Sequence, residues 1–321
     1  MKARYLDLQE LPGADQVPLY GSRQWLECAS SATPFPLKVL GLEENGVLVS
    51  YLPYLESARG PWIRALPLYL DTTSGPYFLF PQGLAFAERS RWMRTVQESL
   101  FRELANHVHF ATLFPLLSDP RALPGPTWET SIRSTARLDL TLDSPPWSSQ
   151  ALRKLHKAEN KGLRLSHNEN IDTLYEAIAS VQTRHNLEQS TLSVKATSDL
   201  AQKLLQHKLV DIWCVTTSEN QQVAYGIIAL DLYSDTVRFL YNVNTTLGLK
   251  LYASDFLFHG IAQAYRGKFH WFDLCGTDHT NLMDFKEKWA SETQHSFRYD
   301  YTRSSLHQSA LKLFSRLRRQ R

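Results

Sequence analysis

Residues Trp271–Trp289, WFDLCGTDHTNLMDFKEKW, decide the fold of this 321-residue chain. The run His270–Leu274 is short, aromatic and apolar, and it carries a carboxylate, Asp273, near its end. This pattern predicts a buried strand whose last residues reach the edge of a sheet. The next residues, Cys275–Thr280, are polar and predict a loop in which Gly276 supplies a tight turn.

A helix is predicted after this loop, because apolar residues recur at helical spacing: Leu282, Phe285 and Trp289. Asn281 or Thr280 is the expected N-cap of this helix. A strand, a turn and a helix in this order place Asp273 and Lys286 at the carboxyl edge of a sheet. Binding crevices of α/β proteins lie at that edge, so the sequence predicts the functional site there.

The composition is that of an ordinary globular protein, with 43% hydrophobic and 21% charged residues. A net charge of +3 does not by itself indicate a nucleic-acid partner, and we expect no DNA binding. The polar N-terminus does not resemble a secretory signal, and no apolar run is long enough for a membrane span. Three widely spaced cysteines indicate neither disulfides nor zinc, so we expect a reducing, cytoplasmic setting and no metal.

The pattern after Trp147 alternates helices and strands. A basic helix over Trp147–Lys161, ended by Gly162, precedes a strand, two helices, three strands, a helix over Lys250–Arg266, and the strand and helix quoted above. A strand over Gln294–Tyr301 and a basic helix over Ser305–Arg321 close the chain. We therefore expect an α/β (α+β) fold with mixed sheets flanked by helices.

The first part of the chain gives weaker signals. Residues Pro36–Leu55 form two apolar runs around Glu44-Asn45-Gly46, which predicts a hairpin. Glu88–Val108 is amphipathic and predicts a helix, whereas the segment around Trp25 follows what reads as a loose N-terminus. The proline-rich segment Leu116–Thr130 and the alternating strand Arg137–Leu142 place the domain boundary near residue 134. The expected domains are residues 1–134 and 135–321.

Two segments resemble the FemA/FemB/FemX-like branch of the GNAT N-acyltransferases, proteins of bacterial type. Residues 152–185, LRKLHKAENKGLRLSHNENIDTLYEAIASVQTRH, are similar to the family's basic helix that ends in Lys-Ala-Glu-x-x-Gly before a strand and a helix. WFDLCGTDHTNLMDFKEKW resembles its Phe-Asp-x-x-Gly and Phe-Lys motifs. The resemblance covers most of the chain and implies two GNAT-like domains, a degenerate N-terminal one and a C-terminal acyltransferase domain closed by the first.

The resemblance implies one catalytic residue, Lys286, and Asp273 and Tyr241 are further candidates. Lys286, the lysine of the Phe-Lys pair, would stabilise charge as a carbonyl is attacked, with Phe285 packed beside it. Asp273 would orient the attacking amine, accept its proton or fix Lys286. Tyr241 is a candidate proton donor to the leaving group. Each has a plain structural alternative: a solvated lysine, a loop-capping aspartate and a core tyrosine.

A second group of residues is expected to bind the acyl donor. Tyr241-Asn242-Val243-Asn244 precedes a helix expected to begin near Gly248 or Lys250, and a helix N-terminus is an anion site. Gly276 belongs to the same edge. The usual coenzyme A pyrophosphate loop of GNAT proteins is absent, because residues 245–250 read TTLGLK. Arg153, Lys157 and Lys161 share one helical face and are candidates for contacts with donor phosphates, although a solvated face is the alternative.

Three functions remain open from the sequence. The first is N-acyl transfer from an acyl-coenzyme A such as acetyl-coenzyme A, a substrate and not a resident cofactor, to an amine acceptor. The second is FemX-like transfer from an aminoacyl-tRNA to a peptidoglycan or cell-wall precursor. The third is a silent GNAT-like binding or scaffold protein. Classical Fem proteins carry a long helical arm implicated in tRNA contact, and no long charged heptad segment appears in this sequence, which favours the first function. The basic C-terminal helix allows peripheral contact with RNA or a membrane.

Overall fold

The computed structural model describes residues 1–68, 70, 73–168, 170–184, 194–276 and 280–304. The strands within this part of the chain are β1 Lys2–Tyr5, β2 Leu37–Glu44, β3 Val47–Arg59, β4 Trp62–Leu66, β5 Tyr77–Phe78, β6 Phe110–Leu113, β7 Trp128–Asp139, β8 Arg164–His167, β9 Val210–Thr216, β10 Gln222–Asp231, β11 Thr236–Asn244, β12 Trp271–Gly276 and β13 Glu292–Thr302. The helices are α1 Arg23–Ser31, α2 Phe86–His107, α3 Ser149–Glu159, α4 Ile171–Arg184, α5 Val194–Gln206, α6 Thr246–Lys250, α7 Ala253–Tyr265 and α8 Thr280–Glu287.

The C-terminal unit comprises residues Gly13–Thr33 and Ser134–His295. Its strands follow the order β7-β12-β11-β10-β9-β8, and the pair β11–β12 is parallel whereas the other neighbours are antiparallel. Strand β10 is buried along almost its whole length, as expected for a central strand covered on both faces. Its core joins residues of α3 and α7 to the sheet, with Phe239 stacked on Phe258. The crossover β11–α7–β12 leaves the carboxyl ends of both parallel strands at one edge.

The N-terminal unit comprises Met1–Pro12, Pro34–Arg133 and, among the described residues, 296–304. Its strands follow the order β1-β2-β3-β4-β6-β13, with β5 beside β3. The pair β4–β6 is parallel and is connected through α2, so each unit contains one parallel pair with a helix between its strands. The core lies between α2 and the sheet, where Phe101 stacks on Trp128.

The units are not the two continuous segments 1–134 and 135–321 expected from the sequence. Residues 13–33, which include α1, belong to the C-terminal unit, where α1 packs against α5 and Lys203 Nζ donates to Ser31 Oγ at 2.6 Å. The second half of β13 belongs to the N-terminal unit. These exchanges depend on contacts between residues far apart in the chain, which local pattern does not reveal.

Most local elements agree with the predictions, including the Asn45-Gly46 hairpin turn, where both residues have positive φ. Two predictions were wrong. The N-terminus is not loose, because Lys2–Tyr5 pairs with β2. The segment around Trp25 is the helix α1, in which Trp25 and Leu26 are fully buried. The predicted helix over Lys250–Arg266 is α7, which begins three residues later because Tyr252 adopts a left-handed conformation with φ 59°.

The stretch 271–289 also departs from its prediction in detail. Cys275, and not Gly276, adopts the left-handed conformation, with φ 61°, while Gly276 is the last residue of β12. The helix begins at Thr280, so Asn281 lies inside it instead of capping it. Leu282 is 42% exposed, whereas Trp289 is buried in the core. The predicted helix over Ser305–Arg321 lies outside the described residues.

Candidate active site

The two parallel strands of the C-terminal unit separate before they end. β11 and β12 pair at only three positions, the last being Arg238 with Asp273. Beyond this pair, β11 stays with β10 as far as Asn244, and β12 pairs with β7 at Gly276. We call the region between the two strands beyond Arg238 and Asp273 the strand opening. Because backbone N–H and C=O groups require partners, such an opening suits a ligand that carries amides or a carbonyl.

A β-bulge in β11 lies at the strand opening. Phe239 pairs with Ile228 and Tyr241 pairs with Ile227, so Leu240 is an extra residue in β11. A bulge bends a strand and increases its local twist. The bulge therefore gives a local reason for β11 to turn away from β12 directly after the last shared pair.

Buried charges lie at the vertex of the strand opening. Arg238 donates to Asp273 Oδ2 at 2.6 Å and to Asp231 Oδ2 at 3.2 Å, and all three side chains are almost completely buried. Burial lowers the pKa of Arg238, but the charges of Asp273 and Asp231 outweigh this and raise it above its usual value. Removing one member of such a group is strongly destabilising, because it leaves a buried charge uncompensated.

Asp273 is engaged by other groups on its second oxygen. Its Oδ1 accepts from Thr135 Oγ1 at 2.5 Å and from the Cys275 amide at 2.8 Å. The bond to the amide two residues on is an Asx-type turn, and it accompanies the left-handed conformation of Cys275. The structure therefore shows a loop-capping, ion-paired aspartate, 4% exposed, with both oxygens directed at protein groups.

Lys286 reaches the end of β12. It is 8% exposed, and its Nζ donates to the Cys275 carbonyl at 2.8 Å. Lys286 is therefore not a solvated helix lysine, because its side chain is buried and its ammonium is bonded to a protein carbonyl. Its neighbour Glu287, in contrast, is exposed. Phe285 packs edge-on against Phe258 of α7 at 5.3 Å between ring centroids, which anchors α8 to the core beside Lys286. Lys286 therefore brings a positive charge to the β12 side of the strand opening.

Tyr241 lies on β11 directly after the bulge. Its ring is half-buried, and its hydroxyl has no hydrogen-bond partner among the described residues. Burial raises the pKa of Tyr241 above its usual value, so the phenol stays protonated at neutral pH. A protonated hydroxyl that bonds to no other described residue is able to donate a proton to a ligand.

The predicted donor-binding residues after Tyr241 hold the connection to α7 instead of lying open. Asn242 Nδ2 donates to Ser254 Oγ at 3.3 Å, and Asn244 Nδ2 donates to the same oxygen and to Asn242 Oδ1. A Cβ on Gly248 would lie 2.1 Å from the Val223 carbonyl oxygen, so only glycine fits there. Gly248 is thus required by backbone packing, and its amide is bonded to Thr245 Oγ1.

Positive charge is available beside the start of α7. Arg153, Lys157 and Lys161 are exposed on and just after α3. The ammonium groups of Lys154 and Lys157 lie 6.0 and 5.8 Å from the centre of the Tyr252 ring, directly before α7. Asp255, in the first turn of α7, is buried, and burial raises its pKa. An acidic side chain therefore already occupies the first turn of α7, and the cations of α3 are the better anion contacts.

Sequence reasoning missed several residues of this region. Arg238 and Thr135 bind Asp273, and Ser254 binds both asparagines. Each comes from a different element, so no spacing in the sequence connects it to the motif. The signal that was available is a charged residue, Arg238, between the apolar residues Val237 and Phe239 of a strand, because a buried charge requires a partner.

The fold of this chain is shared by several solved structures, at low sequence identity. No protein-family profile and no curated protein sequence matches the chain. Among solved structures, FemX superposes with a TM-score of 0.62 at 12% identity and covers 98% of this chain and 99% of its own. L-PGS from Bacillus licheniformis gives 0.59 at 12% identity, with 91% of each chain covered. A tandem GNAT protein from the clavulanic acid biosynthesis pathway gives 0.51 at 10% identity, with 94% and 98% covered.

The chain has the fold of FemX and of tandem GNAT proteins. The mixed sheets flanked by helices agree with this fold, as the sequence predicted. Within the described residues, no helix is long and apolar enough to cross a membrane.

Proposed function

We propose that the protein is an N-acyltransferase, in which an amine attacks the carbonyl of an activated ester or thioester held in the strand opening. The observation that carries this proposal is the strand opening itself, with Tyr241 on β11 and the ammonium of Lys286, which comes from α8, bonded near the end of β12. Both groups are of the type that acyl transfer requires: a proton donor and a fixed positive charge.

The roles of the residues follow from their environments. As the amine forms the new C–N bond, negative charge develops on the carbonyl oxygen, and the buried ammonium of Lys286 stabilises this charge. The C–S or C–O bond to the carrier then breaks, and Tyr241 donates its proton to the departing sulfur or oxygen. The nitrogen releases a proton as the amide forms, and this proton returns to the Tyr241 oxygen, which restores the phenol. The amine must enter without its proton, so turnover is expected to rise with pH until the acceptor is neutral. Asp273 does not take this proton, because both of its oxygens are bonded within the protein.

An acyl-coenzyme A is the first candidate for the donor. The pantetheine arm is an extended chain with two amides, and the edges of two separated strands offer the backbone groups that pair with amides. Lys154 and Lys157 beside Tyr252 supply positive charge for the carrier phosphates. Since Thr245 binds the Gly248 amide and Asp255 fills the first turn of α7, these cations replace the usual pyrophosphate loop.

An aminoacyl-tRNA is the second candidate, as for FemX-like transferases. The specific observation in its favour is the exposed basic row formed by Arg153 and Lys157 on α3 and Lys161 just after it. Three exposed cations suit several phosphates of a polynucleotide backbone. Binding of tRNA through this row would weaken steeply with added salt, and binding of acyl-coenzyme A, which involves fewer phosphates and also pairs through its amides, would weaken less.

The experiment incubates the purified protein with acetyl-coenzyme A, longer acyl-coenzyme A esters or charged tRNA, together with a panel of amines. Mass spectrometry detects acylated amine, and the release of free thiol or uncharged tRNA measures the donor. We expect amine-dependent release with one donor class and its loss in Tyr241→Phe and Lys286→Met. Donor binding without release at any amine would instead support a silent GNAT-like binding protein.

A further inference from the structure

Asp273 links the two strands at the vertex of the strand opening. It pairs with Arg238 across the last shared position of β11 and β12, through an ion pair of 2.6 Å that is almost completely buried. In a buried environment, an ion pair is little screened by solvent. The pair therefore fixes the position at which the two parallel strands stop running together.

The same carboxylate also shapes the end of β12. Its Oδ1 accepts from the Cys275 amide at 2.8 Å and from Thr135 Oγ1 on β7 at 2.5 Å. The register between β12 and β7 shifts between Asp273 and Gly276, so the ladder is interrupted there. A residue other than glycine is rarely found at positive φ and requires its surroundings to hold it there. Asp273 is part of those surroundings, because it binds the amide of the residue concerned.

The left-handed turn at Cys275 has a consequence for Lys286. In an extended strand, carbonyls point alternately to either side along the ladder. The turn at Cys275 breaks this alternation, and the Cys275 carbonyl accepts the Lys286 ammonium at 2.8 Å. A continuous set of contacts therefore leads from Arg238 on β11, through Asp273 and Cys275, to Lys286 on α8.

We infer that Asp273 is the positioning residue of the site: it joins Arg238 on β11 to the Cys275 turn on β12 and so sets where Lys286 stands at the strand opening. This inference builds on the proposed acyl transfer, but the contacts on which it depends are all made between residues of the chain. It replaces the alternative that Asp273 itself orients the amine or accepts its proton.

The test measures the reactivity of Lys286 toward an amine-acetylating reagent, without donor or acceptor. Peptide mass spectrometry compares its labelling rate with that of the exposed Lys208 in wild type and variants. In Asp273→Asn we expect Lys286 to label about tenfold faster, the change that about 1.4 kcal/mol produces. Thr135→Val removes one hydroxyl from Oδ1 and is expected to give about a threefold increase, a measurement that remains available if Asp273→Asn does not fold.

Asp231→Asn is the matched control. Asp231 also binds Arg238, but it lies at the end of β10 and has no bond to the Cys275 turn. We expect Lys286 labelling in this variant to stay within about twofold of wild type. Combining Cys275→Gly with Asp273→Asn is expected to restore protection in part, because glycine adopts the left-handed turn without help.

An unchanged Lys286 labelling rate in folded Asp273→Asn would overturn the inference, as would an equal increase in Asp231→Asn. If acyl transfer is detected, Asp273→Asn is expected to lower kcat while retaining the shape of the pH profile. Loss of the rising limb of that profile would instead show that Asp273 accepts the amine proton, again against the inference. If no acyl transfer is detected, the labelling rate of Lys286 still decides whether Asp273 positions it. The proposed acyl transfer and the positioning role of Asp273 are therefore tested by separate measurements.

Discussion

Replacing Lys286 separates its catalytic role from its structural one. The sequence alone suggests a partly exposed lysine whose loss would hardly affect folding. The structure places Lys286 at 8% exposure with its Nζ on the Cys275 carbonyl, so its loss removes a buried bond from a charged donor. Hydrogen bonds to charged groups contribute about 1.5–3 kcal/mol to stability.

The variant Lys286→Met keeps an unbranched apolar stem and removes only the ammonium. With about 2 kcal/mol lost, and a midpoint change of about 2–4 °C per kcal/mol for a unit of this size, we expect thermal unfolding about 4–8 °C lower. Turnover is expected to fall by about 10²–10³, the effect of removing one donor that stabilises a developing oxyanion. Calorimetry and a thiol-release assay measure the two effects on the same preparation.

Lys288→Met, one residue beyond the same helix and partly exposed, is the matched control. It should change the unfolding midpoint and turnover little, because surface substitutions away from specific contacts are usually close to neutral. Near-normal turnover in Lys286→Met, at a temperature where the variant is folded, would refute the assignment of oxyanion stabilisation to Lys286. A lowered midpoint together with normal turnover would reduce Lys286 to a structural residue.

Three further predictions address other residues of the C-terminal unit. Gly248→Ala should lower the midpoint of thermal unfolding by about 4–10 °C, since the added Cβ would lie 2.1 Å from the Val223 carbonyl oxygen. Unchanged stability in calorimetry together with lost donor binding would instead indicate that Gly248 contacts the donor. Tyr241→Phe should retain stability, because the Tyr241 hydroxyl has no partner among the described residues. It should lower kcat by about 10²-fold and leave KM for the donor unchanged, and equal kcat in the variant and the wild type would show that Tyr241 is not the proton donor. Burial raises the pKa of Asp255, so the folded state holds the carboxyl proton more tightly than the unfolded state, and the wild type loses stability as the pH rises from about 4. Asp255→Asn lacks this loss, so the free energy of unfolding of the variant in urea, relative to that of the wild type, should increase between pH 4 and 7. A difference that does not change with pH would contradict this prediction.

Local patterns predicted the elements that local forces determine. The Asn45-Gly46 turn and the amphipathic helix α2 have signals within a few residues of each other, and both form as predicted. Trp25 and Leu26 carried no comparable signal, because α1 is short and its stability comes from burial against distant elements. The assignment of residues 13–33 to the C-terminal unit has the same origin.

The positions of Asp273 and Lys286 in the fold were predictable from the sequence, but their contacts were not. The motif around Asp273 and Lys286 indicated the carboxyl edge of the sheet, and both residues lie there. Arg238, which ion-pairs with Asp273, lies 35 residues earlier, and its charge within a strand did not indicate which residue it would pair with. The sequence predicts the tight turn at Gly276, because glycine adopts a left-handed conformation most readily. In the structure Cys275 adopts this conformation, its amide bonds to Asp273 and its carbonyl bonds to Lys286.

Hydrogen exchange with and without donor tests most directly whether the strand opening binds the acyl donor. Saturating acetyl-coenzyme A, or charged tRNA, should slow amide exchange in peptides that cover residues 239–244 of β11 and 274–276 of β12, because ligand groups would then pair with these strand edges. Peptides from β9, which has a neighbouring strand on each side, should not change. A donor that binds the protein but slows exchange only outside the strand opening would contradict the proposed site.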